Sequence, residues 1–461
     1  MQKTNTVNKL AELTKSINFK ELPCEVVNQS KRLILDSIGC MLGGSMQDQG
    51  KRIFNHFQAM GGIQQATVFG TRKKLPLLNA IYINSYLATI LDFDDTYDGH
   101  PASTIVPVAL NSGELDGISG RDIITSVIAG YEIGIRISNG IKPTPERTHR
   151  VRGINTWQIF CATVTAAKLF GLNRDQIAHA LSHAAIHAPV PSLRKWGFKS
   201  GKIQWLKNDF GWTAYGGVLS AQLAQLSFIG DKTIFDGQDG FWIMASSDQC
   251  DYLAITEPLS NNYYILKVHT KPYPACRHIH PTLDAVKTIA EKSSISADQI
   301  LNIDIHTFYE VVDNYTFYPI LPFDVPYSAP YLIALLILKV PVGLSWFDLG
   351  LIGDQRLKTI AQKISFHEWE EASKAYPLVK RELMSRAVFF SKGYGQVQKE
   401  VRIPRGDPRN PMTDKELADK FVSLASPVLG MKKTEEVKRI VSQLEELDNV
   451  RSLTNLLSID N

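Results

Sequence analysis

The sequence predicts a mainly α-helical protein with an α+β domain inserted into it. Three observations carry that prediction. Up to about residue 266 apolar residues recur at helical spacing in nearly every segment; from there to about 403 the alternation of strands appears; beyond 404 helical spacing returns. The expected organisation is a large helical domain built from both chain ends, residues 1–266 and 404–461, and a smaller α+β domain at 267–403. At 461 residues the chain exceeds one ordinary core, and two domains are the natural expectation.

Each element has a local reason. In "EVVNQSKRLILDSIGCMLGG", Val26, Leu33, Ile38 and Leu42 mark one helix face, and Gly43-Gly44 ends the element. "LLNAIYINSYLATI" reads as a buried helix. "GRDIITSVIAGYEIGIRISNGI", "TWQIFCATVTAAKLFGL" and "GWTAYGGVLSAQLAQLSFIG" are rich in small and apolar residues, as tightly packed interior helices require. "NRDQIAHALSHAAIHAP" is a further helix stopped by Pro189. In the insert, "LNIDIHTF" sets Ile303, Ile305 and Thr307 against Asn302, Asp304 and His306, a half-buried strand. "RAVFFSKGYGQVQKEVRI" predicts a hairpin turning at Lys392–Gly395, and "KISFHEW" a third strand. "HPTLDAVKTIAEK" and "SAPYLIALLIL" supply covering helices. From "DPRNPMTDKELADKF" through "TEEVKRIVSQLEELDNV" the chain is helical again.

Composition narrows the function classes. The chain is 44% hydrophobic and 21% charged, with 50 basic and 46 acidic side chains and a net charge of +4, so nucleic acid is not implied. The first residues are polar and amphipathic, unlike a signal peptide. The longest apolar run, "YLIALLIL", falls far short of the ~20 residues a membrane span needs. Five scattered cysteines with no CxxC pair suggest reduced thiols in a cytoplasmic protein, not a zinc ribbon or iron–sulfur cluster.

Charge concentrates in "LDFDDTYDGHPAS", residues 91–103. "DDTYD" has the D-D-x-x-D form by which helical prenyl-diphosphate enzymes hold magnesium. The second metal motif of those enzymes is missing, because "NDFGWTAYG" has Trp212 and Gly216 where a hydroxyl and a glutamate belong. The other functional reading is an acid–base pair, with Asp92 partly desolvated at a helix end and His100 fixed by Pro101 as a proton carrier. A solvated, capping turn is the structural alternative. In "KVHTKPYPACRHIHPTLDA", Lys271, Arg277, His278 and His280 gather potential positive charge before a helix N-terminus, where a carboxylate would bind. Cys276 could be a buried thiol or a reactive one. Arg194, Lys195, Lys199, Lys202 and Lys207 in "RKWGFKSGKIQWLKNDFGW" are surface cations by default, one or two of which could clamp carboxylates. His179, His183 and His187 share one helix face, but i and i+8 lie about 12 Å apart along a helix, so they cannot meet on one ion. Core or interface histidines are the expectation. No phosphate-binding glycine loop and no G-x-S-x-G appears.

Taken in order, "LPCEVVNQSKRLILDSIGCMLGG", "LDFDDTYDGHPASTIVPVALNSGE", "GWTAYGGVLSAQLAQLSFIGDKTIFDGQDGFW", "KPYPACRHIHPTLDA", "SAPYLIALLIL" and "IPRGDPRNPMTDKELADKF" resemble the MmgE/PrpD family over nearly the whole chain. That family includes 2-methylcitrate dehydratases, cis-aconitate decarboxylase and an iminodisuccinate epimerase. The resemblance implies an active site between the helical domain and an α+β lid, a homodimer, small di- or tricarboxylate substrates, and no metal or organic cofactor. It matches Asp92, Thr96 and His100 to the family's aspartate, threonine and histidine, and Lys271 to its lysine before the Y-P pair. It matches Tyr331 to a lid tyrosine and Lys207, or else Lys202, to a further lysine. Cys276 stands where the decarboxylase has a histidine, and a second histidine of that enzyme has no counterpart, Arg152 and Asn155 lying nearby. Arg277 and His280 complete the expected substrate contacts. The resemblance thus implies a lyase acting by proton abstraction next to a carboxylate, first of all a 2-methylcitrate dehydratase-like hydro-lyase. Decarboxylation and epimerisation are the alternatives within the family, and a non-catalytic carboxylate binder is the alternative outside catalysis.

Overall fold

The computed structural model describes residues 5–151, 153–192, 209–259, 262–293, 295–376 and 382–459. It is mainly helical with a small α+β part, as the change of period predicts. One apolar core gathers residues between Val7 and Val268 and again between Phe421 and Leu457. A second gathers residues from Tyr273 to Phe389, joined by Cys40, Leu91, Phe93 and Leu424.

The first core is built from buried helices, including Cys24–Ser45, Leu77–Thr89, Ala102–Asp116, Gly120–Gly140, Gln158–Leu169 and Phe210–Gln225. Small residues allow their close approach. A Cβ on Gly44 would run into the backbone carbonyl of Leu87, so the Cys24–Ser45 and Leu77–Thr89 helices touch backbone to backbone there. The C-terminal helix Asp414–Ser442, interrupted at Gly430 (φ 74°), lies along Cys24–Ser45 with Phe421 against Gly39 and Leu424 against Gly43.

Two strands pair where helix was expected: β1 (Ala66–Thr67) and β2 (Lys74–Leu75) are antiparallel. Their short ladder is fixed by tertiary contacts that no local period signals. Thr67 donates its amide and hydroxyl to Glu114, and Asn84 donates to the Thr67 carbonyl.

The second core is covered by a four-stranded sheet of order β4–β3–β5–β6, formed by β3 (Ile300–Thr307), β4 (Ile364–Glu368), β5 (Ser385–Ser391) and β6 (Gly395–Val401). β3 runs parallel to β4 and antiparallel to β5, and β5–β6 is the expected hairpin. Ile303, Ile305 and Thr307 face inward, as their alternation predicts. The helices His280–Lys292 and Ala329–Ile337 pack beneath. Among the described residues no helix is long and apolar enough to cross a membrane.

Candidate active site

Period-2 placement of side chains builds the site at the seam of the two cores. After the Leu77–Thr89 helix ends, Leu91 and Phe93 turn into the second core while Asp92 and Asp94 carry carboxylates between them. All four are buried. Asp92 has a left-handed backbone (φ 47°), unusual for a residue with a side chain and a form of strain that surrounding contacts must hold.

The holding contacts come from far along the chain. Thr96 and His269 exchange backbone hydrogen bonds at 3.0 Å, which lays residues 92–100 beside 269–271. Thr270 donates its amide to Gly406, whose φ of 89° and closeness to the Thr270 carbonyl admit only glycine. Lys420, on the buried face of the C-terminal helix with Leu417 and Leu424, donates to the carbonyls of Phe93 (2.6 Å) and Lys271 (3.0 Å) and pairs with Asp36 at 2.6 Å.

Within this frame the Lys271 ammonium donates to the Asp92 carboxylate (Oδ1, 2.7 Å) and the Asp92 carbonyl (2.8 Å), and lies 4.0 Å from Asp94 Oδ1. The His100 ring sits between the same carboxylates, with Nδ1 2.9 Å from Asp94 Oδ2 and Nε2 3.7 Å from Asp92 Oδ1. Gln158 grips the His100 backbone from both sides, and Phe210 packs edge-on to the ring at 5.3 Å. Tyr327, from the second core, hydrogen-bonds the Asp92 carboxylate. Burial opposes the charge on Lys271, but Asp92 and Asp94 more than offset it and hold its pKa above the ordinary lysine value.

Asp92, Asp94 and His100 offer donor atoms within 4.8 Å of one another, a set that suits a cation. The Lys271 ammonium already supplies that charge between the two carboxylates. The D-D-x-x-D reading does not hold. Both Asp95 oxygens are used within the fold, accepting from Ala102 N (2.9 Å) at a helix start and from the Tyr131 hydroxyl (2.7 Å). Asp98 instead lines the outer cleft. Burial, then the neighbouring Asp94, pushes the Asp95 carboxyl well above the usual range.

That cleft, of 930 Å³, is lined by Tyr97 and Asp98 from the site segment, His269 and Arg277 from the lysine segment, and Asp407 and Arg409 from the loop around Gly406. Arg409 is held by both oxygens of Asp407. Burial, and then Arg277, pushes His269 down to about 3, so it is neutral.

The structure therefore brings Asp92, His100 and Lys271 into one cluster, with Thr96 as a backbone brace and Arg277 at the cleft. Other expectations change. Tyr331, expected to close the site, donates its hydroxyl to the carbonyl of Trp346 (3.0 Å) inside the second core; the tyrosine at Asp92 is Tyr327. His280 is neutral, pushed down to about 3 by burial and then Lys271, and its Nε2 bonds the Ala275 carbonyl at 3.1 Å, so it steadies the loop instead of adding positive charge. Cys276 is half-buried, its thiol 3.5 Å from the Tyr315 hydroxyl. Lys202 and Lys207, like Arg194, Lys195, Lys199 and Arg152, lie outside the described residues. His179, His183 and His187 bond Gly230, Phe228 and Ser220 separately, as core histidines do. Sequence reasoning missed Lys420 and Asp36. Their one signal was a charged residue on an otherwise apolar helix face.

Comparison with known proteins identifies the family. The model of the MmgE/PrpD N-terminal domain matches residues 8–252 and that of the MmgE/PrpD C-terminal domain matches residues 273–446. The chain belongs to the MmgE/PrpD family. It is 24% identical to cis-aconitate decarboxylase of Homo sapiens, covering 94% of this chain and 90% of that protein, and 23% identical to the Mus musculus enzyme, covering 99% and 94%. A cis-aconitate decarboxylase-like protein of Aspergillus oryzae is 22% identical over 98% of this chain and 97% of its own. These relatives carry lyase names. Lys271 lies between the two matched stretches, just before the second begins at residue 273.

Proposed function

We propose that this MmgE/PrpD protein is a lyase that moves a proton at a carbon next to a carboxylate of a small di- or tricarboxylate, without a metal ion. One observation carries the reading: a buried imidazole, His100, between Asp94 and Asp92, with the Lys271 ammonium on the same carboxylate. Removing such a proton builds negative charge on the substrate carboxylate. A fixed cation in a site shielded from water stabilises that charge better than water does, by about 2.7–4 kcal/mol for each well-placed group. His100 is the base, Asp94 orients its ring, and Lys271 faces the developing enolate with Tyr327 beside it. Arg277 and Arg409 at the cleft favour polycarboxylate entry.

Dehydration of a 2-methylcitrate-like hydroxy acid is the first reading, because a thiol, Cys276, stands where the decarboxylase carries a histidine. Decarboxylation is the second, and the cis-aconitate decarboxylase names of the relatives favour it.

The test offers 2-methylcitrate, citrate, cis-aconitate and iminodisuccinate in deuterated water and follows both α-proton washout and turnover by NMR. Washout from at least one substrate, unaffected by EDTA and slowed about 10²–10⁴-fold in His100→Ala, is expected. Equal rates for the two proteins, or loss with EDTA and recovery with magnesium, would overturn the proposal. Tight carboxylate binding with no washout would favour a non-catalytic binder.

A further inference from the structure

Tyr327 has a second neighbour. On one side its hydroxyl bonds Asp92, and on the other its ring stacks on Tyr315 (6.3 Å between centroids, 25° between planes). Tyr315 leads away from the His100 cluster through polar contacts that the proposed reaction leaves unused. The Cys276 thiol lies 3.5 Å from the Tyr315 hydroxyl, that hydroxyl 3.5 Å from His278 Nδ1, and His278 Nε2 3.3 Å from the Tyr376 hydroxyl. These are long hydrogen bonds, of the kind that tighten when a ligand closes a site. Tyr315, His278 and Tyr376 are buried, whereas the thiol is only half so. Cys276 also interacts electrostatically with Lys271 and with Tyr327, which places it toward the same cluster.

The donors fit one direction. A neutral imidazole has one N–H, so it can accept from Tyr315 at Nδ1 and donate to Tyr376 from Nε2. With His278 charged, both nitrogens donate and the Tyr315 hydroxyl turns toward sulfur. Beyond Tyr376, Tyr309 stacks edge-on at 5.7 Å and His149, which is exposed, follows at 6.1 Å, an aromatic path outward. The other groups facing the chain are Phe308 against His278, Glu310 acting on Tyr315, Arg277 next in sequence, and Lys271 and Asp92 beyond the thiol.

We propose that Cys276, Tyr315, His278 and Tyr376 form a second proton-handling arm, opposite His100 across Tyr327, with Cys276 as its substrate-facing end. The proposal rests on the proton-abstraction reading for its role in turnover, though not for its existence. In a dehydration, His100 takes the proton from carbon and the electron pair is held on the neighbouring carboxylate as an enolate; in a second step that pair forms the C=C bond as the C–O bond breaks. The Cys276 S–H bond breaks and its proton joins the departing oxygen, which leaves as water. The thiolate takes a proton from Tyr315, Tyr315 takes one from Nδ1 of a His278 imidazolium, and His278 regains one from solvent. His278 and Tyr376 are positioning residues, acting through the thiol.

Two measurements separate the arm from the reaction. The first needs no substrate. The rate at which iodoacetamide labels Cys276 is followed against pH by peptide mass spectrometry, with Cys24 in the same digest as an internal control. Wild type should show a second inflection, belonging to His278, besides that of the thiol. His278→Gln and Tyr315→Phe should each remove it, Tyr376→Phe should shift it, and Cys24 should label alike in all. Superimposable profiles for wild type and His278→Gln would overturn the proposal. The second uses whichever carboxylate exchanges its α-proton with wild type. Cys276→Ala should keep washout within about threefold and lower elimination at least 100-fold. Parallel loss of both, or of neither, would overturn the role assigned to the thiol. A wild type that exchanges no carboxylate sinks the proposed function, while the labelling profile still decides the arm.

Discussion

Lys420→Met removes an ammonium that makes three buried contacts at once, to Asp36, the Phe93 carbonyl and the Lys271 carbonyl. The Asp36 carboxylate would be left 2% exposed with its cation gone. Breaking a buried ion pair from one side costs about 3–5 kcal/mol, and each stranded carbonyl adds up to about 1–3 kcal/mol where water cannot replace the donor. A total loss of ~4 kcal/mol or more is expected in urea unfolding followed by tryptophan fluorescence. Asp36→Asn in the same background should return a large part of it, because the coupling belongs to the charge. The pH dependence has a definite sign. Burial already holds the Asp36 carboxyl above its usual range, and Lys420 pulls it back. Without Lys420 it rises further, so the folded variant keeps a proton that the unfolded chain has released. Stability of the variant therefore falls as pH rises through that window, and its deficit against wild type is smallest at the acid end. A loss under about 1 kcal/mol, or a deficit that neither acid nor Asp36→Asn reduces, would refute the assignment of Lys420 as the clamp of the site.

Other expectations follow from the same contacts. Tyr327→Phe should lower turnover about tenfold or more with little change in unfolding, whereas Tyr331→Phe should cost about 1 kcal/mol of stability and leave turnover intact; the reverse pattern would restore Tyr331 to the site. Asp92→Asn keeps a residue that tolerates the left-handed backbone but removes the charge facing Lys271, so it should fold and lose α-proton washout by at least 100-fold. Glu132, buried beside Arg136, is pushed up to about 7 by burial, with Arg136 pulling the other way. Its contribution to stability is complete below 4.5 and lost as pH rises through about 7, so Glu132→Gln should flatten the urea midpoint between pH 5 and 8. Gly44→Ala forces a Cβ onto the Leu87 carbonyl and should destabilise by about 1–3 kcal/mol or more.

What the sequence revealed depends on whether the cause was local. β3 and the β5–β6 hairpin follow from alternation and turn residues within a few positions, and the interior helices from apolar runs closed by glycine or proline. Asp92, His100 and Lys271 stood out because charge was crowded beside apolar segments. The sequence pointed to Tyr331 and not to Tyr327, four residues earlier in the same "PYSAPY" stretch, because only packing decides which ring turns toward Asp92. The D-D-x-x-D reading failed for a related reason: Asp95 is spent on capping a helix and on Tyr131, contacts that no spacing rule encodes. Lys420 and Asp36 lie hundreds of residues apart and meet only because the C-terminal helix returns along the second helix of the chain.

That return also explains how so many charges coexist in one dry volume. Asp36, Asp92, Asp94 and Asp95 bring four carboxyl groups together, against the ammoniums of Lys271 and Lys420. Asp95 is spent within the fold, both its oxygens accepting hydrogen bonds from Ala102 and Tyr131, and so stands apart from the balance. Three carboxylates then face two fixed cations, a deficit of one positive charge. The group able to make it good is His100, placed between the two carboxylates nearest the lysine. A proton arriving on that ring completes the balance, whereas a third fixed cation in its place would leave no charge to be gained on abstraction. The unequal count of acids and lysines is thus itself a reason for the imidazole to act as the base.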